Sequence, residues 1–96
     1  MRILALEVEK ADAPAADFQP YLAQEAKAVW TLYQAAVIRE AHFRADRNSA
    51  VLILECADVS EAEQKLGQLP LVAAGLIRFD LIPLVPYSGF SRLFAR

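Results

Sequence analysis

An arginine and a glutamate stand on two predicted strands that a short link connects, and their pairing is the sharpest chemical feature of the sequence. The strands span Val37–Arg44 and Ala50–Cys56, and the link, residues 45–49, consists mainly of residue types typical of hairpin turns. Because strand side chains alternate between two faces, one register places Arg39 directly opposite Glu55. We therefore expect a charge pair on an otherwise apolar sheet face.

The Arg39–Glu55 pair, which follows when Arg44 lies opposite Ala50, fits a proton-transfer site. A proton shift next to a carbonyl requires a base within hydrogen-bond distance of the acidic C–H, and Glu55 suits that role. Arg39 is suited to hold the carboxylate of a small anionic molecule through charge-assisted hydrogen bonds. The alternative is a cross-strand ion pair that only fixes the register.

Four further side chains are candidates for the same site. His42, the one imidazole, suits an auxiliary proton shuttle, or else it is a solvated histidine on an edge strand. Trp30 and Tyr33 lie on a predicted helix, where they line the mouth of a substrate pocket or else belong to the core or a subunit interface. Glu7 comes close to Glu55 if the faces of their strands agree, which would raise one pKa; otherwise it is a polar residue near a strand end.

Composition excludes several classes of function. A length of 96 residues predicts a single domain, residues 1–96, and a net charge of −2 without a basic block argues against nucleic acid as a partner. One Cys and one His are too few for a metal site, and the three dispersed glycines form no phosphate loop, so we expect no metal and no cofactor. The single cysteine fits a cytoplasmic location, and no apolar segment is long enough for a membrane span.

The periodicity of apolar residues predicts the order strand, helix, strand, strand, helix, strand. Strands are expected at Arg2–Glu9, Val37–Arg44, Ala50–Cys56 and Leu76–Leu84, helices at Pro20–Ala36 and from Asp58 to about Gly67, and a loop at Lys10–Asp17. Asp58 and Glu61 form a capping-box-like start, Pro70 breaks the second helix before one short turn, and Gly75 suits a left-handed helix end. This order predicts the α+β, ferredoxin-like plan, one antiparallel sheet with two helices on one face.

The other face of that sheet has no helix to cover it, and 56% of the residues are hydrophobic. An apolar sheet face of this extent requires a cover, which a second copy supplies when two sheets pack face to face. We therefore expect a homodimer or a higher homo-oligomer, built as a dimeric α+β barrel. The tail, residues 87–96, is expected to act as a C-terminal arm that docks on a partner through one apolar face.

The sequence resembles the muconolactone isomerase family, a branch of the dimeric α+β barrels, over nearly its whole length. The resemblance lies in the strand that carries Arg39 and in Glu55 at the end of the third strand. It is clearest in the run Val59–Leu71, with its Gln68-Leu69-Pro70-Leu71 segment, and in the following strand, which ends in Pro83-Leu84. The chain departs from the family in the second half of its second strand, in the hairpin link and in its aromatic-rich tail.

The resemblance implies a cofactor-independent, isomerase-like enzyme. Muconolactone isomerases shift a proton within an unsaturated lactone during aromatic catabolism, and they assemble into large rings. We accordingly expect a proton shift in a small anionic lactone or enolisable acid, with Glu55 and His42 catalytic and Arg39, Tyr33 and Trp30 binding the substrate. Two alternatives stay open, because one fold hosts many functions: a non-catalytic small-molecule-binding or assembly module on a dimeric barrel, and a cofactor-free monooxygenase, a reaction that related barrels host.

Overall fold

The protein forms one four-stranded antiparallel sheet with its helices packed on one face. The computed structural model describes residues 1–94. Its strands are β1 (Arg2–Glu9), β2 (Ile38–Phe43), β3 (Ala50–Glu55) and β4 (Ile77–Leu84), in the spatial order β2-β3-β1-β4. Its helices are α1 (Ala15–Phe18), α2 (Leu22–Gln34), α3 (Val59–Leu66) and α4 (Pro70–Ala73), with 3₁₀ turns at Gln19–Tyr21 and Gly89–Phe94. The predicted ferredoxin-like α+β fold is confirmed.

Two elements differ from the sequence prediction. The segment Lys10–Asp17, expected as a loop, contains α1, whose one turn follows Pro14 in an extended conformation (ψ 152°). The negative charge of Asp17 in that turn favours the helix start. The predicted helix Pro20–Ala36 is divided into the 3₁₀ turn at Gln19–Tyr21 and α2, which ends at Gln34.

The helices are short, and α3 begins with the predicted capping box. Asp58 Oδ1 accepts a hydrogen bond from the backbone N–H of Glu61 at 2.8 Å, and Glu61 Oε2 accepts one from Ala57 N–H at 3.4 Å. α4 begins at Pro70, a position where the missing N–H of proline has no helical partner to lose. Within residues 1–94, none of the helices has the length and apolar character needed to cross a membrane.

The hairpin register differs by one residue from the predicted one. Phe43 lies opposite Ala50, whereas the prediction had it opposite Val51. Arg44 N–H donates to Ser49 O at 2.9 Å, and the link between the two strands spans residues 44–49. A shift of one residue moves every side chain of one strand relative to the faces of its neighbour.

The predicted pairing of Arg39 with Glu55 is therefore wrong, and a β-bulge moves Arg39 further out of the predicted register. The ladder shifts between Ile38 and Glu40, so Arg39 falls at the irregular position. The bulge allows Ile38 and Ala41, three positions apart, to share the helix-covered face. Burial of Ile38, which is 1% exposed, stabilises the fold by about 1.5–3 kcal/mol, whereas an exposed ion pair contributes about 0–1 kcal/mol.

The core lies between the helix-covered face of the sheet and helices α2 and α3. It consists of Ile3, Ala5, Leu32, Ile38, Leu52, Leu54, Cys56, Ala62, Leu66 and Leu69. A smaller cluster of Leu71, Leu76 and Ile77 packs with Phe18 and Tyr21. Large side chains therefore fill the end of the sheet at which β3 leads into α3.

The opposite face, called the open face below, carries an apolar stripe across β3, β1 and β4. The stripe consists of Val51, Ile53, Leu4, Leu6, Val8, Ile82 and Leu84. Ile82 is 43% exposed, and in the tail Phe90 is 65% exposed. The radius of gyration of 15.8 Å exceeds the roughly 13 Å of a compact chain of this size, and the long axis reaches 60 Å. Apolar surface of this kind is typical of a contact with another molecule.

Helices α2 and α4 end in the same backbone motif with different residues at its left-handed position. Each end has the paired hydrogen bonds of a Schellman motif, all of 3.0 Å. The left-handed residue is Ala36 after α2 (φ 63°) and Gly75 after α4 (φ 75°). The prediction for Gly75 is confirmed. A left-handed alanine costs about 1 kcal/mol that a glycine avoids, so the end of α2 carries backbone strain.

Ala36→Gly is expected to raise the free energy of unfolding by about 1 kcal/mol, and Gly75→Ala to lower it by a similar amount. Both residues are exposed, and a methyl group at Gly75 meets no atom within 4 Å, so the two effects are purely conformational. Urea unfolding of both variants beside the parent measures the changes. A loss of stability in Ala36→Gly would contradict the strain at α2.

Candidate functional site

A cavity of about 800 Å³ opens between the helix-covered face of the sheet and the segment from α1 to α2. Most of its wall is apolar and includes Phe18, Leu22, Val29, Leu52 and Phe79. The polar residues that line it are Glu7, Glu9, Gln19, Glu25, His42 and Asn48. This volume and this mixture of a mostly apolar wall with a few polar groups are typical of small-molecule sites.

The cavity exists because small side chains occupy the positions where the core requires large ones. Ala41 and Ala50 continue the inward-facing rows of β2 and β3 that Ile38 and Leu54 fill at the other end. Ala26 lines the cavity from α2. Protein interiors are otherwise close-packed, so a space of this size requires several small residues that face one another.

Glu7 places a carboxyl group in the cavity from the middle of the sheet. Its Oε1 accepts a hydrogen bond from the backbone N–H of Ala50 at 3.3 Å, and the residue is half-buried. Burial raises the pKa of Glu7, and repulsion from Glu9 and Glu25 raises it further, while the Ala50 hydrogen bond acts in the opposite direction. A carboxylate with a raised pKa is a stronger base than an ordinary glutamate.

Glu25 supplies a second carboxyl group from the inner side of α2. Its Oε1 accepts a hydrogen bond from Leu71 N–H at 3.0 Å, which satisfies a free donor in the first turn of α4. Burial raises the pKa of Glu25, and the Leu71 hydrogen bond opposes the rise. Glu25 therefore has both a structural contact and a free oxygen beside the cavity.

The condition under which Glu7 was expected to approach Glu55, agreement of the faces of their strands, is not met. Glu7 and Glu55 lie toward opposite ends of the sheet and on opposite faces, because Arg2 pairs with Glu55 and the strand alternates from there. The carboxylates that approach Glu7 are Glu9 and Glu25. In the sequence, the position of Glu25 beside the apolar stripe of an amphipathic helix is the feature that indicates a carboxyl group near the core.

Glu55, the predicted base, lies on the open face and outside the cavity wall. Its Oε2 is 2.7 Å from the amino group of Met1, and its Oε1 is 3.7 Å from Arg2 Nε. The hydrogen bond from the Met1 amino group lowers the pKa of Glu55, and the charges of that group and of Arg2 and Arg39 lower it further. A lowered pKa makes this carboxylate a weaker base, so Glu7 fits the role better.

Arg39, the predicted substrate anchor, is held at the end of α2. Its Nε donates to the backbone carbonyl of Ala36 at 2.7 Å, and the residue is exposed. It does not line the cavity. Its role as an anchor for a carboxylate stays a prediction, and the contact with Ala36 gives it a structural role at the left-handed residue.

His42 lines the cavity, as Glu7 does among the other sequence candidates. Its Nε2 lies 3.1 Å from Glu40 Oε1 at the exposed edge of the sheet. Because His42 lies opposite Val51, its side chain projects on the open-face side of β2, and Ala41 and Phe43 point the other way. His42 is therefore at the rim of the cavity, and its auxiliary role stays a prediction.

Trp30 and Tyr33 stack on each other on the outer side of α2. Their ring centroids are 5.6 Å apart, the rings are 17° from parallel, and both side chains are about half exposed. Neither residue lines the cavity, and their role in substrate binding stays a prediction. Within residues 1–94, no group of three or more His, Cys, Asp or Glu side chains is arranged to hold a metal ion.

The titration of Glu7 tests the electrostatics of the cavity. We expect its side-chain carboxyl carbon, followed by NMR, to titrate above the ordinary value of 4.5. Because the folded protein holds this proton more tightly than the unfolded chain, the contribution of Glu7 to stability falls as the pH rises from 4.5 through the raised pKa. Glu7→Gln should remove that fall, and the exposed Glu63→Gln on α3 is the control; a midpoint at or below 4.5 would contradict the raised pKa.

Comparisons with known proteins identify the fold. No protein-family model and no curated protein matches the sequence. Among solved structures, muconolactone isomerase matches with a TM-score of 0.74 and 17% identity over 92% of each chain. The 5-chloro-2-hydroxyhydroquinone dehydrochlorinase of Burkholderia phenoliruptrix AC1100, in complex with 2,5-dihydroxybenzoquinone, matches with a TM-score of 0.64 and 17% identity over 88% of this chain and 94% of that one. The chain has a muconolactone isomerase-like fold, as its sequence resemblance predicted.

Proposed function

We propose that the protein is a cofactor-independent, isomerase-like enzyme that shifts a proton within a small enolisable compound, such as an unsaturated lactone, bound in the cavity. The observation that carries the proposal is the half-buried carboxyl group of Glu7, whose pKa burial raises inside an apolar pocket. A base of this kind is what removal of a proton next to a carbonyl requires. The proposal gives Glu7 the role that the sequence prediction gave to Glu55.

The reaction needs one base, one neutral donor and no redox step. Glu7 removes a proton from the carbon between the lactone carbonyl and the double bond, and the electron pair moves into the ring as a dienolate. The protonated Glu7 then returns the proton to the far end of the conjugated system, which yields the isomeric lactone and the free carboxylate. Atoms and charge balance without a co-reactant.

The side-chain amide of Asn48, which lines the same cavity, is suited to stabilise the dienolate oxygen. Its N–H donates a hydrogen bond to the developing oxyanion, and such a bond is stronger in a pocket that excludes water.

The two structural neighbours support a small cyclic substrate. One is named for isomerisation of a lactone, and the other is a dehydrochlorinase in complex with a dihydroxybenzoquinone. Both descriptions include a small cyclic compound. The cavity, of about 800 Å³, has room for one such ring. At 17% identity these proteins share the fold with this chain, and their activities enter only as support for the proposal.

Proton exchange into α-angelica lactone in heavy water tests the proposed function. We expect the protein to accelerate deuterium uptake and conversion to the conjugated isomer over buffer, as followed by proton NMR. Glu7→Gln should lower that rate by about 10²–10⁴-fold because it removes the base, and Glu63→Gln should leave it unchanged. If the protein binds the lactone but does not accelerate exchange, the proposed enzyme activity is wrong and the protein is a small-molecule-binding module.

We infer in addition that two copies pack through their open faces. The apolar stripe runs across the three strands β3, β1 and β4, and Ile82 and Leu84 at its border are 43% and 38% exposed. Face-to-face packing of two such sheets buries the stripe in a shared barrel-like core. The exposed tail, with Tyr87 and Phe90 in edge-to-face contact at 4.9 Å, offers further apolar surface to the second copy.

Sedimentation of the protein at micromolar concentration tests this assembly. We expect a dimer or a larger particle, and we expect Ile82→Glu to shift it toward the monomer because a carboxylate in the stripe is costly to desolvate. Gln64→Glu, on the exposed side of α3, adds the same charge outside the stripe and should leave the particle intact. A folded monomeric parent would contradict the inference.

A further inference from the structure

The charges of the cavity wall are of one sign. Three carboxylates, Glu7, Glu9 and Glu25, line it, and among residues 1–94 no lysine or arginine does. The other polar groups are the two amides of Gln19 and Asn48 and the imidazole of His42, described above at the rim. A carboxylate ligand would therefore enter a cavity that has negative charges and no fixed cation to offset them.

Of the arginines on β2, β4 and the hairpin link, Arg39, Arg44 and Arg78 are bound elsewhere, and Arg47 does not line the cavity. Arg39 Nε donates to the carbonyl of Ala36 at 2.7 Å, as described above. Arg44 contacts Asp46 through two hydrogen bonds, of 2.8 and 2.6 Å. Arg78 likewise forms an ion pair with Asp80. Recruiting one of these side chains for a ligand would break a contact that the folded protein already makes.

The mutual repulsion of the carboxylates is already visible without a ligand. Glu9 and Glu25 both raise the pKa of Glu7, so the negative charges act on one another across the cavity. The negative charge of a carboxylate ligand in the cavity would be repelled in the same way, and more strongly in a low-dielectric pocket than in water. A hydroxyl or amide group on the ligand would instead donate a hydrogen bond to the free oxygens of Glu7 and Glu25.

We propose that the cavity selects an uncharged ring compound with a hydrogen-bond donor over a carboxylate of the same shape. The apolar wall, with Phe18, Leu22, Val29 and Phe79, accommodates the ring, and Glu7 and Glu25 accept from its donor. This proposal rests on the same cavity as the proposed function and names its substrate class. It replaces the small anionic molecule that the sequence predicts with a neutral phenol, enol or hydroxyl-bearing lactone.

A matched pair of probes, 4-hydroxyphenylacetamide and 4-hydroxyphenylacetate, tests the selection, because the two differ in the charge of one group. Dissociation constants come from NMR titration of the full chain at neutral pH and constant ionic strength. We expect the amide to bind at least about tenfold more tightly than the acid, a difference equal to about 1.4 kcal/mol. The double substitution Glu7→Gln with Glu25→Gln should reduce that ratio toward one, and Glu63→Gln should not change it.

The outcomes separate this proposal from the proposed function. Equal or tighter binding of the acid overturns the charge selection, and so does a complete lack of amide binding. An unchanged ratio in the doubly substituted variant overturns the role of the two carboxylates. Preference for the amide without proton exchange into the lactone overturns the proposed function and leaves the charge selection standing.

Discussion

The distribution of side-chain size along the helix-covered face of the sheet is the constraint on which the rest of the structure depends. At one end Ile38, Leu54 and Ile3 are fully buried and fix α2 and α3 on the sheet. At the other end Ala41 and Ala50 cannot reach the helices, so the layers separate and leave the cavity. The same sheet therefore supplies a packed core at one end and a cavity at the other, and neither requires a separate domain.

The gap between the sheet and the helices is the reason that the pKa values of Glu7 and Glu25 are raised. A glutamate on an exposed helix titrates normally, but Glu7 and Glu25 stand in a gap between layers, where water is restricted and each still has one backbone donor. Each carboxyl group thus has one fixed hydrogen bond and one oxygen available to a ligand. The fold shared with an isomerase and a dehydrochlorinase of 17% identity provides the layers, and the chemistry depends on the few residues at their wide end.

The element order was predictable from the sequence because hydrophobic period, capping residues and prolines all act locally. The strand limits of β1 and the cap at Asp58 agree with that prediction. The register of the hairpin was not predictable, because several pairings of these two strands are compatible with the polar link, and the bulge at Arg39, which buries Ile38, has no local signature. The predicted site failed because it depended on that register. The cavity, in turn, was not predictable because it depends on several alanines, and the position of an alanine in a sequence does not indicate a site.

The wall formed by α1 and the 3₁₀ turn at Gln19–Tyr21 has a consequence for access to the interior. Each of these segments is a single turn, with few internal hydrogen bonds to hold it and no fully buried side chain. Local opening of such a segment costs far less free energy than global unfolding. Opening of this wall of the cavity does not require any of the four strands to separate, because neither segment belongs to the sheet.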